Sequence, residues 1–127
     1  MRTLLVADDN RLSRELARDI LEGAGYRVVE ASNGGEALAR AVEASPDLVL
    51  LDLEMPVKDG FSVLAELRSD PRFTGTPVMA VTAKGMQPDR ERIAAAGFDA
   101  CLIKPIGTAE LRQRVGELLN RSSKSEG

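Results

Sequence analysis

MRTLLVADDN, residues 1–10, runs four apolar side chains, Leu4–Ala7, straight into two adjacent carboxylates, Asp8 and Asp9. An unbroken apolar run of this length reads as a buried strand. Two like charges at its end repel each other and are costly to bury unpaired. Either they lie in solvent or something neutralises them, and the rest of the sequence bears on which.

The same kind of run recurs at 26–31 (YRVVEA), 48–51 (LVLL), 78–82 (VMAVT) and 100–103 (ACLI). Between these runs the apolar residues fall at helical spacing. Leu12, Leu16 and Ile20 form one stripe; Ala37, Leu38, Ala41 and Val42 a second; Phe61, Leu64 and Leu67 a third; Leu111, Val115, Leu118 and Leu119 the last. An Ala-rich segment from about Met86 to Ala96 supplies a weaker fourth helix. Gly23 and Gly25 close the first helix, Asn33-Gly34 opens the second, Ser45-Pro46 ends it, and Gly97 ends the fourth. Pro77 stands at a strand start, where a missing N–H is tolerated. Five continuous apolar strands alternating with helices predict an α/β domain, a (βα)5 doubly wound parallel sheet of the flavodoxin-like order 2-1-3-4-5. The domain is expected over residues 1–121, with a polar, frayed tail at 122–127.

Composition narrows the chemistry. A length of 127 residues suits one domain, and 43% apolar with 29% charged residues suits a soluble one. With no Trp, one Tyr and three Phe, the core must be aliphatic. A net charge of −3 and no basic stripe argue against direct nucleic-acid binding. Cys101 is the single cysteine, so no disulfide forms within the chain. The start shows no leader pattern and no apolar run is long enough for a membrane helix, so a cytoplasmic location with no membrane association is expected. Histidine is absent, which removes His general bases, Ser-His-Asp and Cys-His nucleophile systems, and His-containing zinc sites.

In a doubly wound sheet, ligands bind beyond the carboxyl ends of the strands. There the sequence places Asp8-Asp9 after the first strand, Asp52 after the third, Thr82 at the end of the fourth and Lys104 after the fifth. Strands 1, 3, 4 and 5 are contiguous in the expected order, so these groups converge. Three neighbouring carboxylates need a counter-charge, which a divalent cation supplies. Mg²⁺ suits the site because it takes few carboxylates and shares its shell with phosphate oxygens. Lys104 is a compact cation for a phosphate oxygen, Thr82 a donor to another, and Asp52 a carboxylate able to attack phosphorus.

The segments ADDN at 7–10, LDLEMPVKDG at 51–60, VTA at 81–83 and IKP at 103–105 resemble the receiver domain of two-component response regulators, in order and at the right intervals from about Thr3 to Leu119. The resemblance implies that Asp52 accepts a phosphoryl group. It implies that Asp9, Asp52 and the backbone carbonyl of Glu54 bind Mg²⁺, with Asp8 acting through a metal-bound water. Thr82, Lys104 and the N–H of Ala83 would hold the phosphoryl group, and the Lys104–Pro105 bond is often cis in this family. The donor would be a histidine kinase or a histidine phosphotransfer protein, docking on Leu12 and Ile106. Output would pass to a downstream protein through helix 4, strand 5 and helix 5, near Arg90, Ala94, Cys101 and Leu111. A stand-alone receiver is expected: a phosphorylation-controlled switch of protein–protein interactions, not an enzyme acting on other substrates.

Plainer readings exist for each residue. Asp8, Asp9 and Asn10 are all suited to cap the first helix. Asp52 could lead into a turn, Thr82 could be structural, and Lys104 could lie along apolar surface. The convergence favours the phosphoryl-transfer reading over all of these. Glu54 and Lys84, each two residues past a site residue, are expected to tune water attack on the phosphoryl group; their bland alternative is a surface salt bridge. Cys101 departs from the resemblance, since receivers commonly carry Tyr or Phe there; it reads as a small buried hydrophobe. A Mg²⁺-dependent phosphatase of the haloacid-dehalogenase type would place its nucleophile on the first strand and add a cap domain. A receiver that has lost phosphorylation would lack part of the set Asp8, Asp9, Asp52, Thr82 and Lys104. A nucleotide site is disfavoured because SNGGEA at 32–37 has neither the Rossmann nor the P-loop spacing.

Overall fold

A computed structural model describes residues 1–83 and 90–126. The elements run β1 (Thr3–Ala7), α1 (Arg11–Gly23), β2 (Arg27–Ala31), α2 (Gly34–Ala44), β3 (Leu48–Asp52), α3 (Gly60–Ser69), β4 (Val78–Thr82), α4 (Arg90–Ala96), β5 (Ala100–Ile103) and α5 (Thr108–Glu126). All strand pairs are parallel and the order is β2-β1-β3-β4-β5, as the sequence pattern predicts. The expected fourth helix is present from Arg90; its first residues, with Lys84, lie outside the described set. Helix α5 continues through Glu126, where polar composition alone predicts a frayed tail.

Alternation along the strands divides the core into two layers. Leu5, Ala7, Val49, Leu51, Val78 and Ala80 point to the side of α2, α3 and α4, where they meet Ala37, Ala41, Leu64 and Ile93. Leu4, Val6, Leu48, Leu50, Met79 and Val81 point the other way, toward Ala17, Leu21, Leu111 and Val115 of α1 and α5. The aliphatic run of β3 follows from this burial on both faces.

Helix α1 departs from its sequence reading. The Leu12–Leu16–Ile20 stripe is not its buried face: Ala17, Ile20 and Leu21 are buried, while Leu12 is 80% exposed. The Leu stripe is continuous in sequence, but the helix is rotated so that small Ala17 meets the sheet and the two leucines face outward. In α2, similarly, Ala37 and Ala41 pack inward and Val42 is exposed.

Side-chain caps set the helix starts. Asn10 accepts from Ser13 N at 3.0 Å, Asn33 from Glu36 N at 2.8 Å and Asp59 from Ser62 N at 2.9 Å. The capping role open to Asp8, Asp9 and Asn10 thus falls to Asn10, which leaves both aspartates available. The segment joining β3 to α3 passes close to other backbone. A Cβ on Gly60 would sit 2.8 Å from the Asp52 carbonyl oxygen, and one on Gly34 only 2.1 Å from that of Lys58. Both positions therefore require glycine.

Val57 lies in the same segment with φ +72°, in the left-handed region, and is 78% exposed. A β-branched residue there is strained, and little burial compensates it. Replacing Val57 with Gly is expected to raise unfolding stability by about 1 kcal/mol, read as a higher urea midpoint at unchanged m-value.

Candidate functional site

Strand register brings the site residues together. Ala7 pairs with Leu51, so Asp8 emerges level with Asp52 on the adjacent strand. Asp52 pairs with Val81, and Thr82 with Ile103, which places Thr82 and Lys104 along the same edge. The Lys104 N–H donates to the Thr82 carbonyl at 2.8 Å, and the Lys104–Pro105 bond is cis. Asp8, Asp52 and Thr82 are the buried polar side chains of the described residues, at 4%, 5% and 3% exposure.

The Lys104 ammonium lies 3.0 Å from Asp8 Oδ2 and 3.1 Å from Asp52 Oδ2. The other Asp52 oxygen accepts from Glu54 N at 3.0 Å, and Asp8 Oδ1 accepts from Asn10 N at 2.8 Å. Asp9 is exposed and makes no hydrogen bond or ion pair among the described residues, yet carboxylate oxygens of Asp8, Asp9 and Asp52 all lie within 4.8 Å of one another. Three carboxylates against one ammonium leave two formal negative charges, the charge that one divalent cation balances. The all-oxygen donor set is that of a hard cation. The Thr82 hydroxyl is buried without a hydrogen-bond partner among the described residues, although such groups are ordinarily satisfied.

Burial, reinforced by the neighbouring Asp8 carboxylate, pushes the Asp52 pKa up from 3.8 to about 6; the Glu54 N–H and Lys104 oppose the rise. For Lys104, burial alone would lower the pKa, but the hydrogen bonds to Asp8 and Asp52 outweigh it and raise it, keeping the ammonium charged.

The remaining expected positions divide. The Glu54 side chain is exposed, and its backbone N–H is the one that donates to Asp52. Leu12 is exposed and Ile106 half-buried; with Leu16, Pro105 and the Lys104 stem they line a hollow of about 160 Å³ beside the site. Across the molecule, Arg90, Ala94 and Cys101 border a hollow of about 390 Å³ between α4, β5 and α5. Leu111 does not join that surface: it is fully buried, and Glu110 and Arg114 of α5 line the hollow instead. The Cys101 thiol is half-buried, and burial raises its pKa against the partial opposition of Arg90, which disfavours the thiolate.

Arg14 is a residue that reading the sequence for site chemistry overlooks. Its guanidinium donates to the Asp8 carbonyl at 2.9 Å and to Glu30 at 3.1 Å. The only signal in the sequence is an arginine about one turn into the helix that follows the acid pair.

Residues 4–116 match the family model of the response regulator receiver domain, and the chain belongs to that family. It is 36% identical over 118 residues to the polar-differentiation response regulator DivK of Brucella anthropi, covering 93% of this chain and 96% of the relative. It is 41% identical over 122 residues to the transcriptional regulatory protein ResD of Bacillus subtilis, covering 96% of this chain but 50% of ResD. Among solved structures, a CheY-like response regulator receiver domain protein from Methanospirillum hungatei superposes with a TM-score of 0.90 at 28% identity, covering 100% of this chain and 99% of that one.

The raised Asp52 pKa links stability to pH. A folded-state pKa above the unfolded value gives stabilisation that is complete below about 3.8 and is lost as pH rises through about 6. Wild-type protein in EDTA is therefore expected to lose stability across this window relative to Asp52→Asn. At pH 7.5 the Asn variant should be the more stable by about 3 kcal/mol, and thermal unfolding at a series of pH values reads the difference.

Proposed function

We propose that this receiver domain accepts a phosphoryl group on Asp52 from a phosphohistidine on a partner protein, and that the modification switches its binding to a downstream protein. The observation that carries this reading is the juxtaposition of a buried Asp52 with the Lys104 ammonium, the Asp8–Asp9 pair and a Thr82 hydroxyl that has no partner among the described residues.

An Asp52 carboxylate oxygen attacks phosphorus as the P–N bond to the donor imidazole breaks; the imidazole nitrogen keeps the bonding pair and takes up a proton. Asp9, Asp52 and the Glu54 backbone carbonyl would hold Mg²⁺, with Asp8 reaching it through water. When bound, the cation balances the carboxylates and the charge on the phosphoryl oxygens. Thr82 Oγ1 donates to one phosphoryl oxygen, which satisfies a group buried without a partner among the described residues. Lys104 exchanges its Asp52 contact for another phosphoryl oxygen, a charge-assisted bond. The Ala83 N–H serves the same group. The domain works by positioning and neutralising charge, and its product is its own modified state.

The apolar hollow of Leu12, Leu16, Pro105 and Ile106 opens beside Lys104, where a donor helix would bring its imidazole to Asp52. Output is assigned to the α4–β5–α5 face. There Cys101 is too small to act as an aromatic switch, so a shift of Thr82 would carry the signal. A cytoplasmic location follows from the donor class; among the described residues no helix is long and apolar enough to cross a membrane.

Incubation with acetyl phosphate and Mg²⁺, followed by intact mass, is expected to give one phosphate adduct that is absent in EDTA and in Asp52→Asn. An unmodified wild type would refute the reading. Donor docking separates from chemistry by a second comparison. Leu12→Ala with Ile106→Ala should slow transfer from a phosphorylated histidine phosphotransfer protein by roughly tenfold or more, because two apolar side chains no longer pack against the donor. The acetyl phosphate rate should stay unchanged.

A further inference from the structure

Asp9 is the exposed member of the acid trio and has no side-chain contact among the described residues to aim it. Its direction is set by the peptide that precedes it. Asp8, whose carbonyl belongs to that peptide, is held through both of its own backbone groups. The Asp8 N–H donates to the Ala31 carbonyl of β2 at 3.0 Å, and the Asp8 carbonyl accepts from Arg14 Nη1 at 2.9 Å. The Arg14 backbone N–H in turn donates to the Asn10 carbonyl at 2.9 Å, so the residue that holds the loop also begins the helix.

The guanidinium is itself fixed. Arg14 Nε donates to Glu30 Oε1 at 3.1 Å, and Arg18 Nη1 donates to Glu30 Oε2 at 3.1 Å. Glu30 is on β2, paired in register with Val6 of β1, one residue before the pair Ala7–Ala31. Arg14 therefore ties helix α1, strand β2 and the Asp8–Asp9 peptide into one unit. Its side chain is 17% exposed, against 81% for Arg11 on the same helix.

We infer that Arg14, held by Glu30, is a positioning residue that orients the Asp8–Asp9 peptide, and with it the Asp9 carboxylate, for divalent-cation binding. The inference rests on the Mg²⁺ reading of the acidic site and deepens it. Groups that orient metal ligands from behind commonly govern affinity as strongly as some ligands do.

The sign of the effect separates positioning from electrostatics. Arg14 is a cation beside the acid trio, so deleting it on charge grounds alone would tighten Mg²⁺ binding. Loss of the peptide's orientation would weaken it. Calorimetric titration of the unphosphorylated full chain with MgCl₂ should show Arg14→Ala binding roughly tenfold more weakly than wild type, with unchanged far-UV circular dichroism. Arg14→Lys keeps the charge but cannot reach both the Asp8 carbonyl and Glu30, and should also bind weakly. Glu30→Gln retains an oxygen acceptor for Nε and should stay near wild type. If Arg14→Ala does not fold, Glu30→Ala tests the same link from β2 and should weaken binding several-fold. Wild type binding Mg²⁺ while Arg14→Ala, or Glu30→Ala in its place, binds as tightly or more tightly overturns the inference alone. Wild type failing to bind overturns both the inference and the metal reading beneath it.

Discussion

The Lys104 ammonium between Asp8 and Asp52 is the contact on which the site depends. Two carboxylates, each nearly buried, stand at the ends of adjacent strands, and a lysine from a third strand lies 3.0 Å from one and 3.1 Å from the other. Without it the acids would repel across a low-dielectric gap, and uncompensated buried charge costs several kcal/mol. The arrangement does not remove the tension. Asp52 still titrates at about 6, and Asp9 adds a carboxylate with no partner among the described residues. The edge of the sheet is therefore short of positive charge.

The fold isolates this tension from the core. Both faces of the sheet are packed with aliphatic side chains, so the strands form a rigid frame and the polar groups gather just past their carboxyl ends. Loops that carry those groups are pinned from outside. Gly60 lets α3 begin against the Asp52 carbonyl, Gly34 lets α2 press on Lys58, and Arg14 joins the β1–α1 turn to β2. Strain remains in this framework at Val57. A site held this way leaves Thr82 Oγ1 without a hydrogen-bond partner among the described residues.

The segments Leu4–Ala7, Leu48–Leu51 and Val78–Thr82 are readable as strands because burial on both faces demands unbroken apolar runs, and the edge strand Ala100–Ile103 keeps such a run with Leu102 buried. Asp8, Asp9, Asp52, Thr82 and Lys104 are readable as one cluster because strand ends in this topology share an edge. Helix faces are less legible. Leu12 and Leu16 have the spacing of a core stripe, yet α1 buries Ala17 and Leu21, since periodicity cannot say which of two adjacent apolar stripes faces the sheet. In α5 the Leu111, Val115, Leu118 and Leu119 stripe is the buried face its spacing predicts, and only the family resemblance had placed Leu111 at the output surface.

Sequence by itself determined the element order, the parallel sheet and the identity of the acidic cluster, because these follow from local hydrophobic pattern and from residue types at strand ends. Tertiary structure alone decided that Asn10 and not an aspartate caps α1, that Lys104 contacts both acids, and that Arg14 and Glu30 meet behind the Asp8–Asp9 peptide. Those contacts join residues far apart in the chain or compete among near-equivalent neighbours. Their outcome depends on strand register and helix rotation, which only packing sets.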